Sequence, residues 1–540
     1  MVFRILFLFS FIISTGLVAQ KALDEAEQRL LNWHNKDLVT DSIPGMSTEK
    51  AYNELLKGKK SNTVIVGIID SGVDTDHEDI KDNIWVNSKE IAGNGVDDDK
   101  NGYIDDINGW SFLSNTKDQC IDRETLEMTR IYKKFASRYE NMKAEDVKST
   151  EKYDYELYQK AKKEFIKKLS EAKSEENSVK TFYNNFTTSD SLVKAYLKKD
   201  SVTLEDLNGI VTEDEKLKKA VKMQTFLKES GMQKEEIKKY VDHVDDKLNY
   251  NLNVEFNPRT LLGDNPEVMD GKPYGSNDCQ GPDPGHGTHV AGIVGAGRKN
   301  GKGLDGIADN VKIMSVRAVP DGDERDKDIA LAIRYAVDNG ASIINMSFGK
   351  GFSPEKPLVD EAVKYAETKG VLLIHAAGND AQNTDKDPSF PSPYYYHSKT
   401  AASNWMSIGA STMQKGAMLP AFFSNYGRKT VDVFAPGHEI YSLKPGNLYE
   451  ANSGTSMAAP MVTGLAALLK SYYPQLTCSQ IIDIIMKSGT NFRSEKVNVP
   501  GSRKSKIVTK KVPFKKLSKT GKVINVYQAV KMAEQITTRQ

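Results

Sequence analysis

The sequence predicts an α/β fold: a parallel sheet flanked by helices, interrupted by an inserted α-helical subdomain. Three observations lead there. Short, β-branched apolar runs such as Val64-Ile65-Val66-Gly67-Ile68-Ile69 and Val371-Leu372-Leu373-Ile374 are of the kind buried on both faces of a parallel sheet. Apolar helices open directly after glycine-rich turns, at Gly285 and again at Gly454. Residues 121–250 have a different character, with no proline, glycine only at 209 and 231, and a high density of Lys, Glu, Tyr and Leu.

The elements follow in chain order. Met1 to Arg4, an apolar run from Ile5 to Val18 and the small residue Ala19 read as a secretory signal over 1–19, cleaved after Ala19. The run is short for a membrane span and no later stretch is suited to one, so an exported protein without a membrane span is expected. A short segment, 20–45, leads to the first part of the main domain, 46–117, which opens on a helix from Ser47 to Leu56. The strand from Val64 ends at Asp70, and the ends of such strands are where open α/β sheets place their sites. The insertion, 118–250, shows apolar residues at helical spacing from Tyr155 to Ile166 and at Val179, Tyr183 and Phe186, with helix starts at Asp190, Asp200 and Thr212. The second part of the main domain, 251–540, carries both glycine-opened helices.

At 540 residues two or three units are expected. A net charge of +1 gives no case for nucleic acid or an acidic surface as partner, and lysine pairs such as Lys515-Lys516 read as solvated faces. Three cysteines do not make a disulfide scaffold, although Cys120 and Cys279 flank the insertion and leave a bond at its base open.

Four positions carry chemistry. Ser456, in Gly454-Thr455-Ser456-Met457-Ala458-Ala459, sits where helix N–H groups lack partners and the helix end is partially positive. Pro460 is tolerable there if it lies in the first turn. Asp70 ends its strand in Asp70-Ser71-Gly72-Val73-Asp74, His286 opens a helix in Gly285-His286-Gly287-Thr288-His289, and Asn379 follows Ala376-Ala377-Gly378. Each has a plainer reading alone: a capping aspartate, a turn asparagine, or a His-x-x-His zinc pair. No His-Glu-x-x-His pattern or third ligand supports a metal, and His289 reads as a structural helix residue.

Taken together, the motifs resemble the subtilisin family of serine endopeptidases, in the chain order Asp, His, Ser. Asp432-Val433-Phe434-Ala435-Pro436-Gly437, Ile344-Asn345-Met346-Ser347-Phe348-Gly349 and Gly521 to Val526 with Ala529 extend the resemblance, which covers roughly 46–117 and 251–535. It implies hydrolysis of peptide bonds through an acyl-enzyme. Ser456 would be the nucleophile, His286 its base and Asp70 the residue orienting the ring, with Asn379 and the Ser456 N–H stabilising the oxyanion. Ser347, Phe348 and Gly349 would pair with a protein or peptide substrate. Phe390-Pro391 resembles a cis-proline segment near the specificity pocket, and no acidic residue there demands a basic side chain, so broad, apolar-leaning cleavage is expected. The alternatives are a maturation protease dedicated to one partner, or a protease scaffold that binds a partner through its helical insertion.

The chain departs from the family pattern between Asp70 and His286, which stand 216 positions apart. In the acidic loop 94–108, Asp97, Asp99, Asn101 and Asp105 fall at positions 1, 3, 5 and 9 of an EF-hand pattern with Gly102 at position 6. Asn108 stands at position 12 where a glutamate is usual, so a structural calcium with modified geometry is expected. Asp79 matches a carboxylate that binds calcium in many subtilisins. The helical insertion is expected beside the active-site face as a gate, a partner site or a regulator, the last because segment 20–45 is too short for the family's folded propeptide.

Overall fold

The computed structural model describes residues 31–117, 119–269, 274–398, 400–502 and 511–538; the signal read over 1–19 lies outside them. Strands β1 (Val64–Asp70), β2 (Gly109–Ser111), β3 (Val311–Arg317), β4 (Ile343–Met346), β5 (Leu372–Ala376), β6 (Trp405–Ser411) and β7 (Val433–Pro436) join two short strands, Thr490–Asn491 and Lys522–Val523, in one sheet. The order is Thr490–Asn491, Lys522–Val523, β7, β6, β5, β4, β1, β3, β2. All its pairings are parallel except that between the two short strands. The α/β fold with a helix-flanked parallel sheet is therefore observed as expected.

Strand periodicity explains how the sheet is covered. On β1, Val64, Val66 and Ile68 join one core cluster with the helices Gly285–Gly295 and Thr455–Tyr472. Ile69 joins a second cluster with the helices Asp326–Asp338 and Lys356–Thr368. Side chains alternate across a strand, so a continuous apolar run supplies both faces at once. An antiparallel hairpin, β8 (Ile440–Lys444) with β9 (Leu448–Asn452), lies outside the sheet. Among the described residues the first α-helix is Thr48–Ala51, continued by a wider turn over Tyr52–Leu56.

No disulfide joins Cys120 and Cys279; the Cys120 thiol donates instead to Asp278 Oδ2 at 3.2 Å. Among the described residues no helix is long and apolar enough to cross a membrane.

Residues Arg123–Asn257 form a compact unit of their own, distinct from the unit that carries the sheet. Its helices are Glu127–Tyr139, Lys152–Leu197, Leu204–Asn208, Glu215–Glu229 and Lys234–Asp246. The long helix Lys152–Leu197 fits an insertion into the α/β fold. It runs straight through Asp190, which therefore does not start a helix. Asp190 pairs with Lys194 at 2.9 Å one turn on, while Phe186, Ser189 and Val193 continue the buried stripe. Helix starts fall instead at Thr203, in a capping box with Asp206, and at Asp214, which accepts from the Lys216 and Leu217 N–H groups.

Candidate active site

Three adjacent strands deliver the site from their carboxyl ends. Ile69 of β1 is level with Met346 of β4, and Met346 with His375 of β5. Asp70, Ser347 and the Ala377-Gly378-Asn379 turn therefore leave the sheet side by side.

Asp70 is 1% exposed, and its Oδ1 lies 2.6 Å from His286 Nδ1 while accepting the Ser71 N–H at 2.8 Å. A proton held on Nδ1 by this carboxylate leaves Nε2 as the basic nitrogen. Desolvation disfavours the imidazolium, although the ring is 42% exposed, but the Asp70 charge and hydrogen bond, with a smaller push from Asp283, outweigh it and raise the His286 pKa above its ordinary value. Contact between the helix start and the strand end requires glycine. A Cβ on Gly287 would lie 2.1 Å from the Gly72 carbonyl oxygen.

Ser456 is the second residue of the helix Thr455–Tyr472. Its Oγ donates to the Ser347 carbonyl at 3.1 Å and makes no hydrogen bond to His286. Pro460 lies inside this helix rather than in its first turn. It has no N–H to give to the carbonyl four residues back, which is that of Ser456. Ser347 Oγ replaces it, donating to the Ser456 carbonyl at 2.9 Å while accepting from Asn345 Nδ2 at 2.9 Å. Asn345 is held in turn by Thr463 Oγ1 at 2.9 Å. The proline is thus built into the link between this helix and Ser347 at the end of β4.

Asn379 Oδ1 accepts from the Thr455 N–H at 2.8 Å and from Thr455 Oγ1 at 3.0 Å, which turns Nδ2 to the other side. A Cβ on Gly454 would stand 3.4 Å from Asn379 Nδ2 and 3.5 Å from the Ser456 nitrogen. Two donors therefore flank one space, and glycine leaves that space open.

Ser347 is buried, Phe348 half-buried and Gly349 exposed. With Asp70 and His286 they line a cleft of about 350 Å³, whose other walls include Arg317, Asp321 and Glu324. Burial pushes the Glu324 carboxyl up to about 8. Lys350 and Phe390 exchange main-chain hydrogen bonds at 2.9 Å, and the Phe390–Pro391 peptide is cis.

The acidic loop distributes its carboxylates differently from the EF-hand spacing. Asp97 accepts the Asn101 and Gly102 N–H groups at 3.0 and 2.8 Å, and Asp105 those of Asn94 and Gly95 at 3.2 and 2.9 Å. Asp99 instead meets Glu90 and Asp106, with oxygens of all three within 4.8 Å of one another. Asn101 donates to both Asp99 and Asp106. Burial pushes the Asp106 carboxyl up to about 6, against hydrogen bonds from Tyr335, Asn87 and Asn101. Asp79, 3% exposed, accepts from the Asn300 side-chain amide, and burial raises its pKa. His289 is fully buried with Nε2 at 3.0 Å from the Ile440 carbonyl, and burial lowers its pKa to about 4, as befits a structural residue.

Sequence reasoning missed two braces. Asn425, 2% exposed, donates to the Ala377 carbonyl at 2.9 Å and accepts from the Asp380 and Gln382 N–H groups at 3.1 and 2.8 Å, so one side chain clamps the Asn379 turn. Arg317, 2% exposed, holds the turn after Asp70 through the Ser71 carbonyl at 3.1 Å. Asn425 lies in Phe423-Ser424-Asn425-Tyr426-Gly427, where no periodicity marks it.

Residues 61–503 match the sequence model of the subtilase family, peptidase S8. The thermophilic serine proteinase of Bacillus sp. (strain AK1) is 38% identical over 239 residues, 43% of this chain and 55% of that protein. The cell wall-associated protease of Bacillus subtilis (strain 168) is 37% identical over 225 residues, 42% of this chain and 23% of that protein. Subtilisin DY of Bacillus licheniformis is 36% identical over 211 residues, 38% of this chain and 71% of that protein. The chain thus spans about half of the first of these proteins and about a quarter of the second. With that match running over most of its length and a parallel sheet beneath its motifs, the chain belongs to the subtilase family.

Proposed function

We propose that this protein is a serine endopeptidase that hydrolyses peptide bonds through an acyl-enzyme. The observation that carries the reading is a shared cleft: Asp70, His286 and Ser347 line it, and Ser347 exchanges hydrogen bonds with Ser456, whose N–H stands with Asn379 Nδ2 beside Gly454. Ser456 Oγ leaves the Ser347 carbonyl, turns to His286 Nε2 and attacks the substrate carbonyl as its proton passes to the ring. Asp70 holds the ring and stabilises the imidazolium. Asn379 Nδ2 and the Ser456 N–H take the negative charge that develops on the carbonyl oxygen. His286 then gives its proton to the leaving amine, and water completes the second half by the same route. A resting contact from Ser456 to Ser347 is compatible with this, because catalytic hydrogen bonds often tighten only once substrate is bound.

Labelling by a fluorophosphonate tests the reading. The wild-type protein is expected to label and Ser456→Ala not to; a wild-type protein that stays unlabelled would sink it.

Two finer assignments belong to the same reading. Export is supported by the signal pattern over 1–19 and by the similarity to a cell wall-associated protease. A structural calcium ion suits the all-oxygen set Glu90, Asp99 and Asp106, with Asp97, Asn101 and Asp105 shaping the loop around it and the Asp79 carboxylate as a second, separate candidate. Such an ion would neutralise the crowded carboxylates and hold the loop, taking no part in the chemistry.

A further inference from the structure

His375, on β5 two residues before Ala377, is 3% exposed, and its Nε2 is buried without a hydrogen-bond partner. Nearly all such atoms in folded proteins are paired, so an orphan asks for a reason. The ring lines a cavity of about 40 Å³ together with Thr384, Ser389, Pro391, Ser407 and Thr430. The two threonine hydroxyls are committed elsewhere, to each other at 2.7 Å and, from Thr430, to Asp385 Oδ1 at 2.8 Å, and Ser407 Oγ accepts from Trp405 Nε1 at 2.9 Å.

Burial holds the His375 pKa down at about 4, so the ring is neutral at neutral pH. Its hydrogen bond with the Phe348 main chain falls to the other nitrogen, which leaves Nε2 as a lone-pair acceptor. That acceptor faces the substrate strand. A Cβ on Gly349 would lie 3.6 Å from His375 Nε2 and 3.2 Å from Ser389 Oγ, and glycine keeps the approach clear. Among the described residues no carboxylate, lysine or arginine lines the cavity, so they offer nothing to a charged side chain.

We propose that His375 is a specificity-determining residue, whose Nε2 accepts a hydrogen bond from an uncharged donor at the end of the substrate side chain preceding the scissile bond. A terminal carboxamide, as in glutamine, is the chemistry that fits. The proposal rests on the endopeptidase reading above and replaces the apolar-leaning preference expected from sequence.

The test uses peptides that differ only at that position, bearing the near-isosteric side chains Gln, Met and Glu. Rates are expressed per Ser456 titrated with fluorophosphonate. Wild-type protein is expected to favour Gln over Met by about tenfold in kcat/KM and to cleave Glu least well. His375→Leu is expected to bring the Gln:Met ratio close to one, while His375→Gln, which keeps an acceptor, retains the preference. Equal rates for Gln and Met in the labelled wild type would overturn the proposal and leave the orphan nitrogen to a buried water. A Gln preference that survives in His375→Leu would overturn it as well. If His375→Leu does not fold, the wild-type panel alone decides. A wild-type protein that does not label overturns the endopeptidase reading and this proposal with it, so the two failures are distinguishable.

Discussion

The helices Thr455–Tyr472 and Lys152–Leu197 show how differently the two units of this chain are built. In the first, 15 of 18 residues are buried, from Thr455 to Ser471, and nearly all are apolar or small. In the second, 8 of 46 are buried, at positions such as Tyr158, Phe165, Val179 and Phe186. A helix apolar all round must lie inside a domain, whereas one with a thin stripe faces water along most of its surface. The first is fixed by dense packing on the sheet. The second leans on small clusters and on exposed pairs such as Lys180 with Glu176 and Lys194 with Asp190. Chemistry needs atoms held to fractions of an ångström, and the densely packed unit is the one that carries Asp70, His286, Asn379 and Ser456.

That contrast can be broken or sharpened by experiment. The largest effect is expected from Asp70→Asn, which leaves the packing intact but removes the charge that holds the imidazole, at a cost of about 10⁴ in kcat. Because Asp70 raises the His286 pKa and the neutral ring is the active base, wild-type activity falls as pH drops through that raised value. The acid limb of the pH–rate profile should move to lower pH in the variant. A limb that does not move would show that another group titrates.

Next comes the oxyanion side. Asn379→Ala is expected to lose about 10²–10³ in turnover, the loss that removing the corresponding donor causes in a subtilisin. Asn425→Ala should lower kcat more than it changes KM, by about tenfold, because it loosens the Asn379 turn without removing the donor. If both variants lose equally, the clamp and the donor act as one unit.

Chelation of divalent cations is a smaller perturbation. At free calcium a hundred times Kd, binding would add about 2.7 kcal/mol of stability, seen as a fall in Tm on adding chelator. Asp106→Asn should abolish that calcium dependence and Asp97→Asn should weaken it less. The reverse order would restore the EF-hand spacing as the guide to the ligands. The smallest effect is expected in the helical unit, where Lys194→Ala removes one exposed ion pair worth about 0.3–0.5 kcal/mol and leaves fluorophosphonate labelling unchanged. A labelling rate that responds to this change would tie the two units together functionally.

The positions Asp70, His286, Asn379 and Ser456 were legible in the sequence because each sits at a junction that short-range rules mark. An apolar β-branched run must stop where its strand leaves the sheet, and a glycine-rich turn before an apolar run must open a helix. The same rules located the helical unit by composition but misplaced a start at Asp190, since an aspartate can cap a helix or pair with a lysine one turn on, and only the buried stripe around it chooses. Pro460 was misplaced for a related reason: its tolerance deep in a helix depends on Ser347, a residue from another strand.

What the sequence determined by itself was therefore the α/β class and the residue types at the strand ends and helix starts, because apolar periodicity and turn chemistry act over a few neighbouring residues. Only the tertiary structure decided that Asn425 clamps the Asn379 turn, that Asp99 meets Glu90 and Asp106, and that His375 Nε2 faces Gly349 with no partner. Each of these depends on a distance between residues remote in the chain, and such distances exist only once the strands are in register and the core has closed around them.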